Sequence, residues 1–263
     1  MFDIPLITAD KSIRDEWNAC AVKQHAASLG EELHTYVAVD RVTRGTKLHG
    51  DKRDKVLHLS SSETNDRLGK LPLFVGMKVV VLTNILTKAG VVNGAEGVVQ
   101  RIIYRELDSH ERVAECVLVS IRGCTLEFPG LEPGVVPIFP SSHYINVRLK
   151  DQSTMRVRRD QIPLLPAYAF TDYKSQGRTM PEAILDLASL NAKRESTYVL
   201  LTRVVSLNKI YILRDFPERN LLSKLSTASR KYLDSLRVLH IKTLQRWRNT
   251  VTYTQVQSIS HDE

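Results

Sequence analysis

The sequence predicts an α/β chain: a parallel sheet with helices, interrupted by a small antiparallel β-module and followed by C-terminal helices. Three observations predict it. Strand-like and helix-like runs alternate at the start of the chain and again after Pro163, the rhythm of a parallel sheet with right-handed crossovers. Between them, β-branched runs follow one another closely, broken by Gly and Pro. The 263 residues are 43% hydrophobic and 25% charged, enough to bury one large core or two smaller ones.

Taken in order, Ile4 to Ile7 reads as a short strand and "TADKSIRDEWNACAVKQHAASLG" as a helix. Thr8, Asp10 and Ser12 are its candidate caps; Ile13, Trp17, Ala21 and Val22 recur near helical spacing, and Gly30 is its stop. "LHTYVAVDRV" has the alternation of a strand, and the Lys, Asp, Ser and Gly of residues 43–70 suggest a solvated connection. From Gly76 the chain turns β-rich. "MKVVVLTNI" and "GVVQRIIYR" flank "LTKAGVVNGAE", where Asn93-Gly94 is a strong turn signal, and "ECVLVSI", "GVVPIFP", "HYINVRL" and "TMRVRRDQI" follow as further strands. Residues 95–160 therefore read as the β-module. Beyond it come "AYAF" as a strand, "EAILDLA" as a strand, "STYVLLTRVV" as a helix and "KIYIL" as a strand. Residues 219–249 read as one or two basic amphipathic helices, whose stripe of Leu221, Leu222, Leu225, Leu233, Leu236, Leu244 and Trp247 is expected to pack on the core. "TYTQVQSISHDE" reads as a polar, frayed tail.

Composition narrows the function. Lys plus Arg outnumber Asp plus Glu 37 to 29, a formal charge of +8, which suits an anionic partner such as nucleic acid or else is an uninvolved basic surface. Cys20, Cys116 and Cys124 lack CxxC spacing and an even count, and the eight His lack HExxH, which argues against disulfide frameworks and protein-ligated metal and for a reducing compartment. No run approaches the ~20 apolar residues of a membrane span. A soluble intracellular chain is expected, with the nucleus as one compartment and no membrane partner.

Three stretches could carry chemistry. "TDYKSQG" gathers hydroxyls at Thr171, Tyr173 and Ser175, the Lys174 ammonium, the Gln176 amide and the permissive backbone of Gly177 at a strand's end. Such a loop either offers donors to phosphate oxygens or is simply a polar loop. Arg203 ends an apolar helical segment, where it either reaches across a cleft to developing phosphate charge or snorkels to solvent. "GVVNGAEG" imitates a phosphate cradle but lacks the Lys-Ser/Thr ending and reads as a hairpin turn; GxxxxGK[ST] occurs nowhere, and no apolar strand ends in a magnesium-holding acidic pair.

Together these residues resemble a known family. "QIPLLPAYAFTDYKSQGRTM" is similar to the motif QIPL...AYA(L/F)T..(K/R)SQG.T of superfamily 1 DNA helicases of the Pif and RecD-like type, and in particular of those carried by Helitron-like transposons and their fungal relatives. "STYVLLTRVVSLNKIYILRDF" resembles the following YVALSR motif, with Thr202 where Ser is usual. "GMKVVVLTNILTKAGVVNGAEGVV" resembles GM.V....N.....VNG..G.V, and "ITADKSIRDEWNACAV" the R..(W/I)N helix that opens the second motor domain.

The resemblance implies a second RecA-like motor domain formed by residues 1–94 and 161–216, an SH3-like β-insertion over 95–160 that touches DNA, a basic helical extension over 217–251 and a tail over 252–263. It implies that Thr171, Tyr173, Lys174 and Ser175, with Asn93, face single-stranded DNA, although Tyr173 stands where many relatives have His. Gln176 and Gly177 would couple DNA to the nucleotide, and Arg203 would be the arginine finger, the one catalytic residue carried over. ATP with Mg2+ would bind only together with a first RecA-like domain, in cis or in trans, which supplies the P-loop and the metal-binding acid. The expected function is the motor half of an ATP-dependent DNA helicase, inactive alone. Its rivals are a non-catalytic nucleic-acid-binding module, an inactive transposon-derived remnant and a metabolic α/β enzyme, the last lacking any nucleophile-base pairing or cofactor fingerprint.

Overall fold

The computed structural model describes residues 4–42, 46–148, 152–190, 194–222 and 226–259. Strand β1 (Leu6–Thr8) is wholly buried and feeds helix α1 (Lys11–Leu29). Of the three candidate caps, Asp10 begins the helix: its carboxylate accepts the Ser12 N–H at 2.8 Å, and the Ser12 hydrogen bonds hold this carboxyl below its usual range. Gly30, at φ 68°, ends the helix in the left-handed conformation that glycine adopts without a Cβ clash.

The "LHTYVAVDRV" run divides at Ala38 into β2 (His34–Val37) and β3 (Val39–Val42). Helix α2 (Gly50–Leu57) follows, then β4 (Lys70–Leu73) and β5 (Lys78–Val81). The β-rich interval supplies β6 (Glu96–Glu106), β7 (Arg112–Ile121), β8 (Val135–Ile138), β9 (Ser141–Arg148), β10 (Thr154–Gln161) and β11 (Leu164–Pro166). The chain then returns to α/β order with β12 (Ala169–Thr171), α3 (Asp172–Ser175), β13 (Ala183–Asp186), α4 (Arg194–Leu201) and β14 (Ile210–Ile212), before α5 (Arg219–Leu222) and α6 (Thr227–Ile259).

Strands β12, β1, β13 and β14 lie side by side in that order, all parallel, as the alternating rhythm predicts. Side chains alternate across this sheet. Ile7, Phe170, Leu185 and Leu200 fill one face, while Leu6, Ala169 and Ile184 meet Ile13 and Trp17 on the other. A second sheet runs β11-β5-β6-β7-β2-β4, with β8 paired to β7, and a third runs β3-β10-β9. Pro166 in β11 and Pro72 in β4 sit in the two terminal strands of the second sheet's path, where a missing N–H breaks no interior ladder.

Two sequence expectations meet a different structure here. Strands β2, β3 and β5, which the expected division at residue 94 assigns to the motor domain, pair with strands of the β-rich interval, and β4 pairs with β2. A short run such as "KVVV", buried on both faces, reads alike in either setting, so periodicity cannot choose its partner. Residues 43–70, expected as a solvated connection, contain α2, whose Val56 and Leu57 are buried. Beneath α2 lies Arg159 on β10, fully buried, its guanidinium gripping both oxygens of Asp40 at 2.8 Å and the carbonyls of Val56 and Arg67 at 2.8 Å.

The C-terminal region also differs from expectation. Helix α6 runs on to Ile259, through most of the stretch read as a frayed tail. The stripe does not enter the core: Leu221 and Leu222 of α5 and Leu233, Leu236, Leu244 and Trp247 of α6 are exposed, and Leu225 lies outside the described residues. An amphipathic pattern specifies a face for burial without specifying what covers it.

Candidate nucleic-acid interface

All four parallel strands end at one edge: β12 at Thr171, β1 at Thr8, β13 at Asp186 and β14 at Ile212. Ligands of open α/β sheets bind beyond such carboxyl ends, because the loops and helix starts there turn their backbone donors outward. At the β1 and β13 ends, the buried Asp186 carboxylate accepts from Thr8 Oγ1 at 2.9 Å and from Arg214 at 2.9 and 3.1 Å, a closed network that fixes the edge.

The "TDYKSQG" loop is a tight turn built on its own hydroxyls. Thr171 caps α3 by accepting the Lys174 N–H at 3.3 Å, and Ser175 Oγ donates to the Asp172 carbonyl at 2.8 Å. Both residues are buried, so their hydroxyls hold the turn's shape from within. Gln176 and Gly177 are exposed at its far end, Gly177 at φ 82° with open space where a Cβ would stand. Tyr173 is 82% exposed.

Lys174 Nζ donates to Asn93 Oδ1 at 2.9 Å, which joins the strand-end loop to the Asn93-Gly94 turn 81 residues away in sequence. The Asn93 N–H in turn donates to Asn84 Oδ1 at 2.8 Å. Burial lowers the Lys174 pKa; Asp66 opposes this, and Arg67, Arg14 and Lys11 push it further down. Lys11, Asp66, Arg67, Asn93, Tyr173 and Lys174 line a polar cavity of about 350 Å³ at this edge.

Arg203 reaches the chain just after the same loop. Its Nη1 donates to the Arg178 carbonyl at 3.1 Å, its Nε to the Val199 carbonyl at 2.8 Å and its Nη2 to Thr202 Oγ1 at 2.9 Å. The Met180 N–H returns a 2.8 Å bond to the Arg203 carbonyl, and Ser196 Oγ donates to Asp172 Oδ2 at 2.7 Å, so α4 is tied to α3 directly and the segments that follow the two helices are tied to each other. These contacts use three of the five guanidinium N–H groups. Every residue named from the sequence thus falls within one loop and its two flanks, with Lys174 and Asn93 on one flank and Arg203 on the other.

Sequence reasoning missed the residue that connects the flanks. Arg178 donates from Nε to the Lys174 carbonyl at 3.0 Å and from Nη2 to the Gly94 carbonyl at 2.8 Å, pairs with Glu96, and lies 4.3 Å over the Phe170 ring. Its burial lowers the guanidinium pKa. The available signal was its place directly after Gly177, where a long cation can fold back over the loop. Arg67 and Asp66 were missed too, inside a stretch whose composition suggested solvent.

No family model and no curated protein matches this chain. Solved structures do. The model superposes on the Pif1 helicase from Candida albicans with a TM-score of 0.56 at 20% identity, covering 88% of this chain and 49% of that one. The fold is shared. Bacteroides Pif1 bound to ssDNA gives 0.54 at 19% identity over 90% of this chain and 46% of that one. The complex of Bacteroides Pif1 with ADP-AlF3 and ssDNA gives 0.53 at 20% identity over 89% and 45%. The chain spans about half the length of these structures, and the likeness places its parallel sheet in the RecA-like class.

Proposed function

We propose that this chain is the second motor half of a Pif1-like DNA helicase, binding the backbone of single-stranded DNA and presenting Arg203 to ATP held by a first RecA-like domain. One observation carries the reading: the segment Thr171–Gly177 is bonded on one side to Asn93 through Lys174 and on the other, through Arg178, to Arg203. A phosphodiester at Lys174 and a nucleotide phosphate at Arg203 would therefore address opposite flanks of one short turn. Movement at either flank reaches the other through that turn, which is what coupling of strand binding to hydrolysis requires.

The residues fit half of a nucleotide site. A half-buried guanidinium with two N–H groups left over and the exposed Gln176 amide can receive phosphate oxygens, whereas among the described residues no group of three His, Cys, Asp or Glu side chains could hold a metal ion. ATP with Mg2+, when bound, supplies the phosphoryl group and its neutralising charge. Arg203 would stabilise charge growing on the transferred phosphoryl and Gln176 would report it to the DNA side; the P-loop would come from the first motor domain. A Helitron-type lineage and a nuclear compartment belong to the same proposal.

The test joins this chain to a P-loop-bearing first motor domain and measures DNA-stimulated ATP hydrolysis. Arg203→Ala should lower kcat by roughly 10³-fold or more, the usual worth of an arginine finger, while leaving binding to oligothymidylate intact. Unchanged turnover in that variant, or no binding of oligothymidylate at low salt by the parent, rejects the reading.

A further inference from the structure

We infer that the turn at residues 60–67, together with the start of α1, is the second wall of the single-strand groove, and that one backbone phosphate lodges between Lys11 and Arg67 on that wall and Lys174 and Asn93 on the other. This deepens the single-strand reading above and rests on it. The cavity between the two walls is lined by all four of these residues and by Tyr173.

The turn is a built element. Asn65 and Asp66 both hold left-handed backbones, φ 50° and 67°, a conformation that Asn and Asp enter more readily than other residues with a side chain. Buried partners hold the turn at both ends. Ser61, 2% exposed, accepts from the buried Arg14 at 2.8 Å and donates to Asp15; the Asp66 N–H closes on the Ser61 carbonyl at 2.8 Å. At the other end Arg159 holds the Arg67 carbonyl. Such anchoring for a surface connection makes sense when the turn must hold a set position against a ligand.

The charge balance points to the ligand's sign. Asp66 pairs with Arg14 at 3.0 Å and with Lys11 at 3.3 Å, Arg14 also pairs with Asp15 at 2.6 Å, and Arg67 stands near enough to Lys174 to lower its pKa. Lys11, Arg14, Arg67 and Lys174 thus face two carboxylates, which leaves an excess positive charge at a strand-end cavity. A phosphodiester carries one negative charge and two unesterified oxygens that can each take N–H donors from opposite walls. Asp66 is then a positioning residue: it holds Lys11 and Arg14 in place.

The experiment measures oligothymidylate affinity across a salt series for the parent chain, Lys11→Gln, Arg67→Gln, Lys174→Gln and the Lys11→Gln/Lys174→Gln pair, with melting curves as fold controls. Lys11→Gln is the principal variant, because its side chain is 34% exposed, whereas that of its ion-pair partner Asp66 is 9% exposed. Lys11→Gln should weaken binding roughly tenfold and flatten the plot of log affinity against log salt by about 0.7, the worth of one single-strand phosphate contact. The double variant should lose less than the sum of its parts, since both lysines grip one phosphate. Additive losses overturn the shared phosphate. If Lys11→Gln and Arg67→Gln keep the parental slope while Lys174→Gln flattens it, the second wall is wrong and the single-strand reading survives; if Lys174→Gln is also silent, both fall.

Discussion

Replacing Arg159 by methionine should be the most damaging single change in the β3-β10-β9 region. The side chain is 0% exposed and its Asp40 partner 1%, so the pair has no access to water. Removing the guanidinium strands a buried carboxylate, a loss of about 3–5 kcal/mol. It also strips donors from the Val56 and Arg67 carbonyls, adding roughly 1 kcal/mol for each after relaxation. A total near 5–7 kcal/mol, about 3–5 for the stranded carboxylate and about 2 for the two carbonyls, is a large part of the roughly 5–15 kcal/mol by which a domain is ordinarily stable. In urea this should move the unfolding midpoint down by about 1.7–2.3 M, taking a slope near 3 kcal/mol per molar. The companion variant Arg159→Met/Asp40→Leu removes both charges and should recover all but about 2 kcal/mol, because an apolar pair of similar volume replaces a buried ion pair at little cost. A single variant that loses under about 1 kcal/mol, or a double variant no better than the single, would refute the claim that burial of an unpaired charge sets the penalty.

Gly97→Ala puts a Cβ 2.5 Å from Val119 Cγ1 and 2.6 Å from the Ser120 carbonyl, so melting should show a loss of roughly 1–3 kcal/mol, whereas Gly177→Ala meets nothing within 4 Å and should lose about 1–2 kcal/mol from its positive φ alone. The lowered Lys174 pKa, caused first by burial and then by Arg67, Arg14 and Lys11 against Asp66, means that oligothymidylate affinity should decline as pH rises and begin to do so below the ordinary lysine range. Its sign for stability is opposite. Between the lowered and ordinary values the unfolded chain binds more protons, so this group alone raises stability with pH, and titrated binding and melting curves should separate.

The parallel sheet was legible because its cues are local. Asp10 and Gly30 bracket α1, and the apolar "AYAF" and "AILD" runs can serve only as buried strands once helices separate them. The strand-end loop was legible for the same reason, since its polar residues are consecutive. What escaped depends on pairing at a distance. Nothing in "KVVV" tells whether β12 or β6 lies beside it, nothing in Arg159 shows that Asp40, 119 residues earlier, will neutralise it, and nothing in "TNDR" shows that Arg14 will bury the turn. Arg178 lay between: visible as a cation after a glycine, yet its two carbonyl partners belong to separate segments.

The placement of β1 between β12 and β13 has a consequence for biosynthesis. Leu6 takes its neighbours from Ala169 on one side and Ile184 on the other, so this strand leaves the ribosome long before either exists. At about 5–20 residues per second the wait is on the order of 8–30 s, during which an apolar three-residue segment and the underside of α1 stay uncovered. The strands in between mate among themselves as they emerge, and by closing they draw the two ends of the sheet together and shorten the loop that β1 must still close. Slowing translation past Ala169 should therefore lengthen the period in which nascent chains are captured by holdase chaperones.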